Sequence, residues 1–343
     1  MITLQNPLDM HIHLREGEIL KSVLNFSAKY FSGALAMPNL KIPLNDTNKV
    51  LEYKKDIENT TKELNCEAFT PIMSMYLSES LNKDELIKAK KEGIKILKLY
   101  PKGATTGSEN GVSEILNQKI CDIFQIAQDL GFILSIHGES NGFSMDREFE
   151  FGEIFEKIAI NFPKLKIIME HLSDRRSIDL LKYDNIFATI TLHHITMSLD
   201  DVLGSGLNPH YFCKPILKTP KDRDALINLA LSGSEKISFG SDSAPHLESN
   251  KLKQNGAAGI FSAPILLPRL CEIFEKNNRL ENLQKFISDN AKKIYGLQNI
   301  PNKTITLTKE KYKVQDSILV GNDKIIPLLA GEVLSWKIKD TRN

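Results

Sequence analysis

The chain of 343 residues is poor in cysteine: Cys66, Cys121, Cys213 and Cys271 are its only four, and no two stand at a paired spacing. That excludes a disulfide framework and points to free thiols in a reducing compartment. Charge of one sign is also missing. With 44 basic and 43 acidic residues the formal charge is +1, so neither nucleic acid nor a membrane surface is an indicated partner. No apolar run approaches the roughly 18 residues of a membrane span. The opening MITLQNPLDM has neither the basic nor the apolar region of a secretory signal, and a cytoplasmic protein is expected. A Gly-rich dinucleotide fingerprint, a P-loop, internal repeats and low-complexity segments are all absent.

What is present is ordinary globular composition, 41% hydrophobic and 25% charged, in a regular rhythm. Short β-rich runs recur: MHIHL (10–14), ALAMPN (34–39), FTPIMSMYL (69–77), IKILKLY (94–100), ILSIHGE (133–139), KIIMEHL (166–172), FATIT (187–191) and ISFGSDS (237–243). Between them lie segments such as TNKVLEYKKDIENTTKEL and EILNQKICDIFQIAQDL, whose apolar residues return at three- and four-residue steps. Strands alternating with helices imply a parallel sheet, and eight such units fit an α/β fold closed as a (β/α)8 TIM-type barrel. Periodicity alone also fits an open doubly wound sheet. Polar residues at the C-terminal ends of several strands favour the barrel, which gathers its active site there. A single barrel domain over residues 1–300 is expected. Residues 301–343 should form a short C-terminal extension on it, with strand-like alternation in TITLTKEKYKV and SILVGNDKIIPLL.

Two of the eight histidines, His11 and His13, stand one residue apart on the first barrel strand candidate. Residues i and i+2 of a strand share a face, so both rings could grip one ion. Alone, the pair is better read as two partly buried histidines with ordinary hydrogen bonds. His137 and His171 each end an apolar run, and imidazoles from several strand ends suit a catalytic metal with one open position. Asp242, in FGSDSAPH, is either a turn aspartate or a carboxylate needing a cation. Lys98, in IKILKLYP, is either a lysine snorkelling at the strand end or, by the strand's pattern, a residue pointing into the barrel. A buried amine has a depressed pKa, and in its neutral form it can take up CO2 as a carbamate that bridges two metals.

HIHLR, KLYP with the following GATTGSENG, IHGE, EHLS and GSDSAPH occur in this order. Together they resemble the metal-binding motifs of the amidohydrolase superfamily, and most closely those of the short bacterial-type dihydroorotases. AMPN, FTPIMSMYL, CKPILK, NGAAGIFSAP and LLAGE extend the resemblance over nearly the whole chain. The resemblance implies two Zn2+ per chain, one held by His11, His13 and Asp242 and the other by His137 and His171, bridged by N6-carboxylated Lys98. It also implies Asp242 as the catalytic acid–base, and Arg15, Asn39 and His246 as partners of a substrate carboxylate. Lys214, by its backbone, and Ala258 would touch the ring, and Thr105 and Thr106 would lie on a mobile loop. The implied reaction is reversible ring opening of L-dihydroorotate to N-carbamoyl-L-aspartate in pyrimidine biosynthesis, by a cytoplasmic homodimer.

Two departures stand out. Dihydroorotases of this type carry cysteines just before the AAG stretch, where this chain has KLKQNGAAG, and Lys214 stands where an apolar residue is expected. The alternatives are another cyclic-amide hydrolase, hydantoinase- or allantoinase-like, or a non-catalytic scaffold of dihydroorotase type. Hydantoinases usually carry extra β-structure ahead of the HxH pair, whereas ten residues precede His11 here; Arg15 favours a substrate with a carboxylate. A scaffold would be free to lose ligands, and every ligand position is filled by a competent residue.

Overall fold

A computed structural model describes residues 1–342. Strand β1 (Ile2–Gln5) stands outside the barrel. The barrel strands are β2 (Leu8–Ile12), β3 (Gly33–Ala36), β4 (Thr70–Tyr76), β5 (Ile96–Leu99), β6 (Ile133–Ile136), β7 (Lys166–Met169), β8 (Ile186–Ile190) and β9 (Ile237–Phe239). Each pairs in parallel with the next, in chain order. A parallel bridge from Ile12 to Ser243 brings the last strand's extension back to the first. The expected (β/α)8 barrel is therefore the observed one. All eight strand readings find their strand; several of them ran past its C-terminal end into the loops that carry the polar residues.

Helices cross over between the strands for the local reasons the sequence suggests. Asp46 accepts from the Lys49 N–H at the start of helix Thr47–Glu63, and Asn82 and Asn117 cap Lys83–Lys91 and Gln118–Leu130 in the same way. Gly131 ends the last of these in the left-handed conformation, at φ 71°. No described helix is long and apolar enough to cross a membrane.

Alternation along the strands divides the core in two. Leu97 and Leu99 pack with the helices in the large outer core, together with Leu134, Ile136, Ile167 and Met169. Ile96, Ile133 and Ile168 instead meet Leu8, Met10, Leu35 and Met37 inside the barrel, where Tyr295 and Ile294 join them. Lys98, Ser135 and Glu170 are two residues beyond Ile96, Ile133 and Ile168, so the same alternation turns them inward, toward the C-terminal mouth.

The first barrel strand departs from simple alternation. Leu8 and Met10 face inward, which by strict alternation would turn His11 outward and Ile12 inward, yet Ile12 packs in the outer core. The pairing of β2 with β3 is irregular between Asp9 and Ile12, and this slip re-aims His11 into the barrel beside its neighbour's alternation.

After the barrel come β10 (Thr304–Thr308), β11 (Tyr312–Lys313), β12 (Ile318–Val320), β13 (Asp323–Ile325), β14 (Val333–Leu334) and β15 (Lys337–Arg342). β1, β10 and β15 form an antiparallel sheet with β10 in the middle, so the first and last strands are joined through β10. Lys303 donates from a buried position to the carbonyls of Ala28 (2.6 Å) and Phe31 (2.9 Å), and Trp336 is buried with its N–H on Glu275 at 3.0 Å.

Candidate active site

His11 is on β2, and His13 is the first residue past it. Lys98 is on β5; His137 follows β6 directly, His171 is two residues beyond β7 and Asp242 three beyond β9. All six lie at the C-terminal mouth. The rings of His11 and His13 are 5.4 Å apart, those of His11 and His171 5.1 Å, and those of His137 and His171 4.7 Å. Asp242 Oδ1 is 3.0 Å from His13 Nε2 and 3.4 Å from His11 Nε2. Ligand atoms of His11, His171 and Asp242 lie within 4.8 Å of one another.

Lys98 is completely buried, and its Nζ has no hydrogen-bond partner. Burial pulls its pKa down to about 8, against the opposing pull of Glu170 and Asp242. The nearest aromatic face is Tyr100, with Nζ 5.0 Å from the ring centre. His171 also leaves one buried nitrogen, Nδ1, unpartnered. Burial holds His11, His13 and His171 below the usual imidazole range, so they present lone pairs rather than charges.

Two buried carboxylates stand behind these rings, and the sequence reading assigned them no role. Glu170 accepts from His11 Nδ1 at 2.7 Å and from the hydroxyls of Ser135 and Thr189 at 2.5 Å each. Burial would raise its pKa, but His11, Lys98 and these hydrogen bonds outweigh burial and hold it at about 2. Glu139 lies 2.7 Å from His137 Nε2, while His137 Nδ1 faces His171 Nε2 at 3.0 Å. Against burial, His137 keeps Glu139 below its ordinary range. Each of the two histidines thus turns one nitrogen to a carboxylate and the other toward the centre, the orientation that metal-ligating imidazoles adopt. The signal was in the quoted motifs, in the Glu beside His171 in EHL and the Glu two past His137 in IHGE.

A third carboxylate secures the seam. Asp9 accepts from the Ser241 N–H (2.7 Å) and hydroxyl (2.6 Å), while the Asp242 N–H donates to the His11 carbonyl at 2.8 Å. Backbone strain accompanies this precision: Arg15, His171 and Asp242 have φ of 60°, 42° and 45°, a region costly for residues with a side chain.

The other expected residues surround the same cleft: Arg15, Asn39, Thr105, Thr106, Lys214 and Ala258 line it with His11, His13, His137, His171 and Asp242. His246 stands behind Arg15. Its Nε2 is 3.0 Å from Arg15 Nη2 and 2.9 Å from the Ala258 carbonyl. A guanidinium only donates, so Nε2 either accepts from Arg15 or donates to Ala258. Asn39 donates to the Thr106 carbonyl at 3.0 Å, which docks the Thr105–Thr106 turn over the cleft. Lys251, in the stretch that replaces the expected cysteines, donates to the carbonyls of Phe212 (2.9 Å), Ala257 (2.9 Å) and Gly259 (2.7 Å) and so ties the Ala258 loop to the Lys214 segment.

No family model matches the chain. Whole proteins do. The dihydroorotase of Helicobacter hepaticus is 58% identical over 340 residues, 99% of this chain and 98% of its own. The crystal structure of dihydroorotase from Campylobacter jejuni superposes with a TM-score of 0.93 at 44% identity, over 99% of this chain and 97% of that one. Dihydroorotase from Saccharomyces cerevisiae, solved in complex with 5-fluoroorotic acid, superposes at 0.91 with 33% identity, over 98% of both chains. Likeness of this extent, end to end, leaves one reading of descent: the chain belongs to the dihydroorotase family of cyclic amidohydrolases.

Proposed function

We propose that the chain catalyses reversible hydrolytic ring opening of L-dihydroorotate to N-carbamoyl-L-aspartate, a step of pyrimidine biosynthesis, at a site for two zinc ions. One observation carries this reading: a fully buried, unpartnered Lys98 amine among four histidines and Asp242. An orphaned buried amine is costly, and a group that bridges cations removes the cost. The neutral amine adds to CO2, forming an N–C bond and releasing a proton, and the resulting carbamate offers two oxygens. His11, His13 and Asp242 would hold one ion, His137 and His171 the other, with carboxylated Lys98 between them. The donor set suits zinc, all nitrogen and oxygen with buried carboxylates behind two of the rings.

When bound, such a metal pair supplies a hydroxide near neutral pH and stabilises charge on the carbonyl under attack. The chain's own residues do the rest. Arg15 takes the substrate carboxylate, assisted by Asn39 and His246, and fixes the ring for attack. The Lys214 backbone and Ala258 bound the ring, and the Thr105–Thr106 turn screens it from water. Water would release one proton in forming the hydroxide, and Asp242 takes the remaining hydroxide proton and hands it to the leaving ring nitrogen, acting as base and then as acid. The ring C–N bond breaks as the new C–O bond forms, and one water is consumed.

Ligand charges alone would leave the site at about +1, which favours an anion. Glu170 and Glu139 sit directly behind the ligands and offset that excess. Selection of an acid substrate therefore falls on Arg15, and the yeast relative's complex with 5-fluoroorotic acid supports a carboxylate-bearing ligand. A hydantoinase-like activity would have no use for Arg15. A coupled assay of ring opening and closure on zinc-defined protein should show turnover of dihydroorotate and none of hydantoin or allantoin; turnover of the latter two at comparable kcat/KM would overturn the assignment.

Family likeness supports a cytoplasmic homodimer, which sedimentation would check. The barrel body is read as residues 1–300 and the extension as 301–343, one folding unit through the pairing of β1 with β10.

A further inference from the structure

Beside the proposed hydrolytic site lies a second group of ligand-competent side chains for which that reaction has no use. His193 and His194 lie on the short helix Leu192–Thr196 that follows β8, and Cys213 immediately precedes Lys214. Their ligand atoms all lie within 4.8 Å of one another, and all three residues are buried. His193 is fully enclosed, and neither of its ring nitrogens has a partner. Two unbonded imidazole nitrogens in a protein interior are expensive and call for an occupant. His194 is already oriented. Its Nε2 lies 3.1 Å from the Pro215 carbonyl, to which it can only donate, so Nδ1 carries the lone pair. The Thr191 hydroxyl meets that nitrogen at 2.9 Å while its oxygen caps the helix by accepting the His194 N–H at 3.0 Å, so an ion binding Nδ1 would have to displace this hydrogen bond. The Cys213 thiol rests against the Pro215 carbonyl at 3.3 Å.

We propose that His193, His194 and Cys213 form a further metal site, separate from the hydrolytic pair, that takes one zinc ion through two imidazoles and a thiolate. Two nitrogens and one sulfur suit a borderline-soft cation and leave a fourth tetrahedral position for water. On binding, the S–H bond of Cys213 breaks, its proton leaves to solvent and a zinc–sulfur bond forms; nothing is oxidised or reduced. The ion would join the helix after β8 to the segment carrying Lys214, which lines the cleft, and so stiffen one wall of the substrate site.

Cobalt distinguishes this site from the other. Among the described residues, two groups of side chains could hold a metal, and only this one contains a cysteine. A near-ultraviolet thiolate-to-cobalt charge-transfer band in Co2+-loaded protein therefore reports Cys213 alone. Wild-type protein should show the band; Cys213→Ser should abolish it, and His193→Gln should weaken cobalt binding at it. Zinc-loaded wild type should retain one more ion per chain than Cys213→Ser. No band in the wild type, a band that persists in Cys213→Ser, or equal zinc content in the two would overturn the proposal. Failure of the hydrolase reading would appear instead as absent turnover, whatever the band does.

Discussion

Glu170 accepts a hydrogen bond from His11 Nδ1 at 2.7 Å, deep inside the barrel. The bond fixes the tautomer of His11 and turns Nε2 toward Asp242. With the Ser135 and Thr189 hydroxyls also donating to it, Glu170 is an acceptor on every side. Glu170→Gln would present an amide N–H to one of these donors and release the ring. Metal affinity should fall about 10- to 100-fold, the usual cost of losing a carboxylate behind a ligating histidine. Competition against a chelator of known affinity measures it, and an unchanged Kd would remove Glu170 from the site's support.

Lys98→Ala removes the amine that the carbamate reading requires. Turnover should collapse, and a short carboxylic acid added to the assay should restore part of it by filling the space of the missing carbamate. The intact wild-type protein, examined by mass spectrometry under native conditions, should carry the mass of one CO2 at Lys98. Two bound metals with an unmodified Lys98 would defeat the reading.

Asp242→Asn keeps an oxygen ligand but cannot cycle a proton. A loss in kcat of about 10²- to 10⁴-fold is expected if general acid–base catalysis is what it removes. The comparison is made at matched zinc content, so that a metal-binding defect is not read as a catalytic one; near-wild-type kcat there would reassign the proton transfer.

Arg15→Ala should act chiefly on KM. The guanidinium is held ready by the Pro245 carbonyl at 3.1 Å and by His246, and a charge-assisted bond to a carboxylate is worth about 1.5–3 kcal/mol, or roughly 10- to 150-fold. Steady-state kinetics in the ring-opening direction would read it, and an unaltered KM would place the substrate carboxylate elsewhere.

The residues of these predictions divide by how local their signal is. Lys98 and the histidines at the ends of β6 and β7 could be read from the chain because a polar residue closing an apolar run is visible within a few positions. The inward aim of His11 relative to Leu8 and Met10 could not, since it depends on a slip in the pairing of β2 with β3; past the slip Ile12 faces outward and His11 and His13 share the inner face, as i, i+2 alternation requires. Nor could the Asp9–Ser241 clamp, whose partners are 232 residues apart and meet only when the barrel closes. Glu170 and Glu139 lay within the quoted motifs, yet their role depends on which ring nitrogen each one meets. Strand Ile2–Gln5 was missed because only Leu4 of its four residues is buried; its order comes from pairing with Thr304–Thr308.

Lys251 offers the last test, away from the metals. Its ammonium group donates to three carbonyls that hold the Ala258 loop to the Lys214 segment, and Lys251→Met would leave those of Ala257 and Gly259 without this donor, while Phe212 keeps the Gly259 N–H at 2.9 Å. Stability should fall by on the order of 3 kcal/mol, as for a buried charge network broken on one side. KM should rise more than kcat falls, because the loop bounds the ring rather than the reacting bond. The pH dependence gives an independent sign. Burial lowers the Lys251 pKa to about 8, with Cys213 opposing, while the unfolded chain keeps this proton to about 10.5. Between those values the unfolded chain binds more protons, so this group makes stability rise with pH across that window and takes the gain away as pH falls through 8. Urea midpoints at pH values below and above 8 should therefore rise more in wild type than in Lys251→Met; parallel curves for the two proteins would show that the amine keeps its proton throughout.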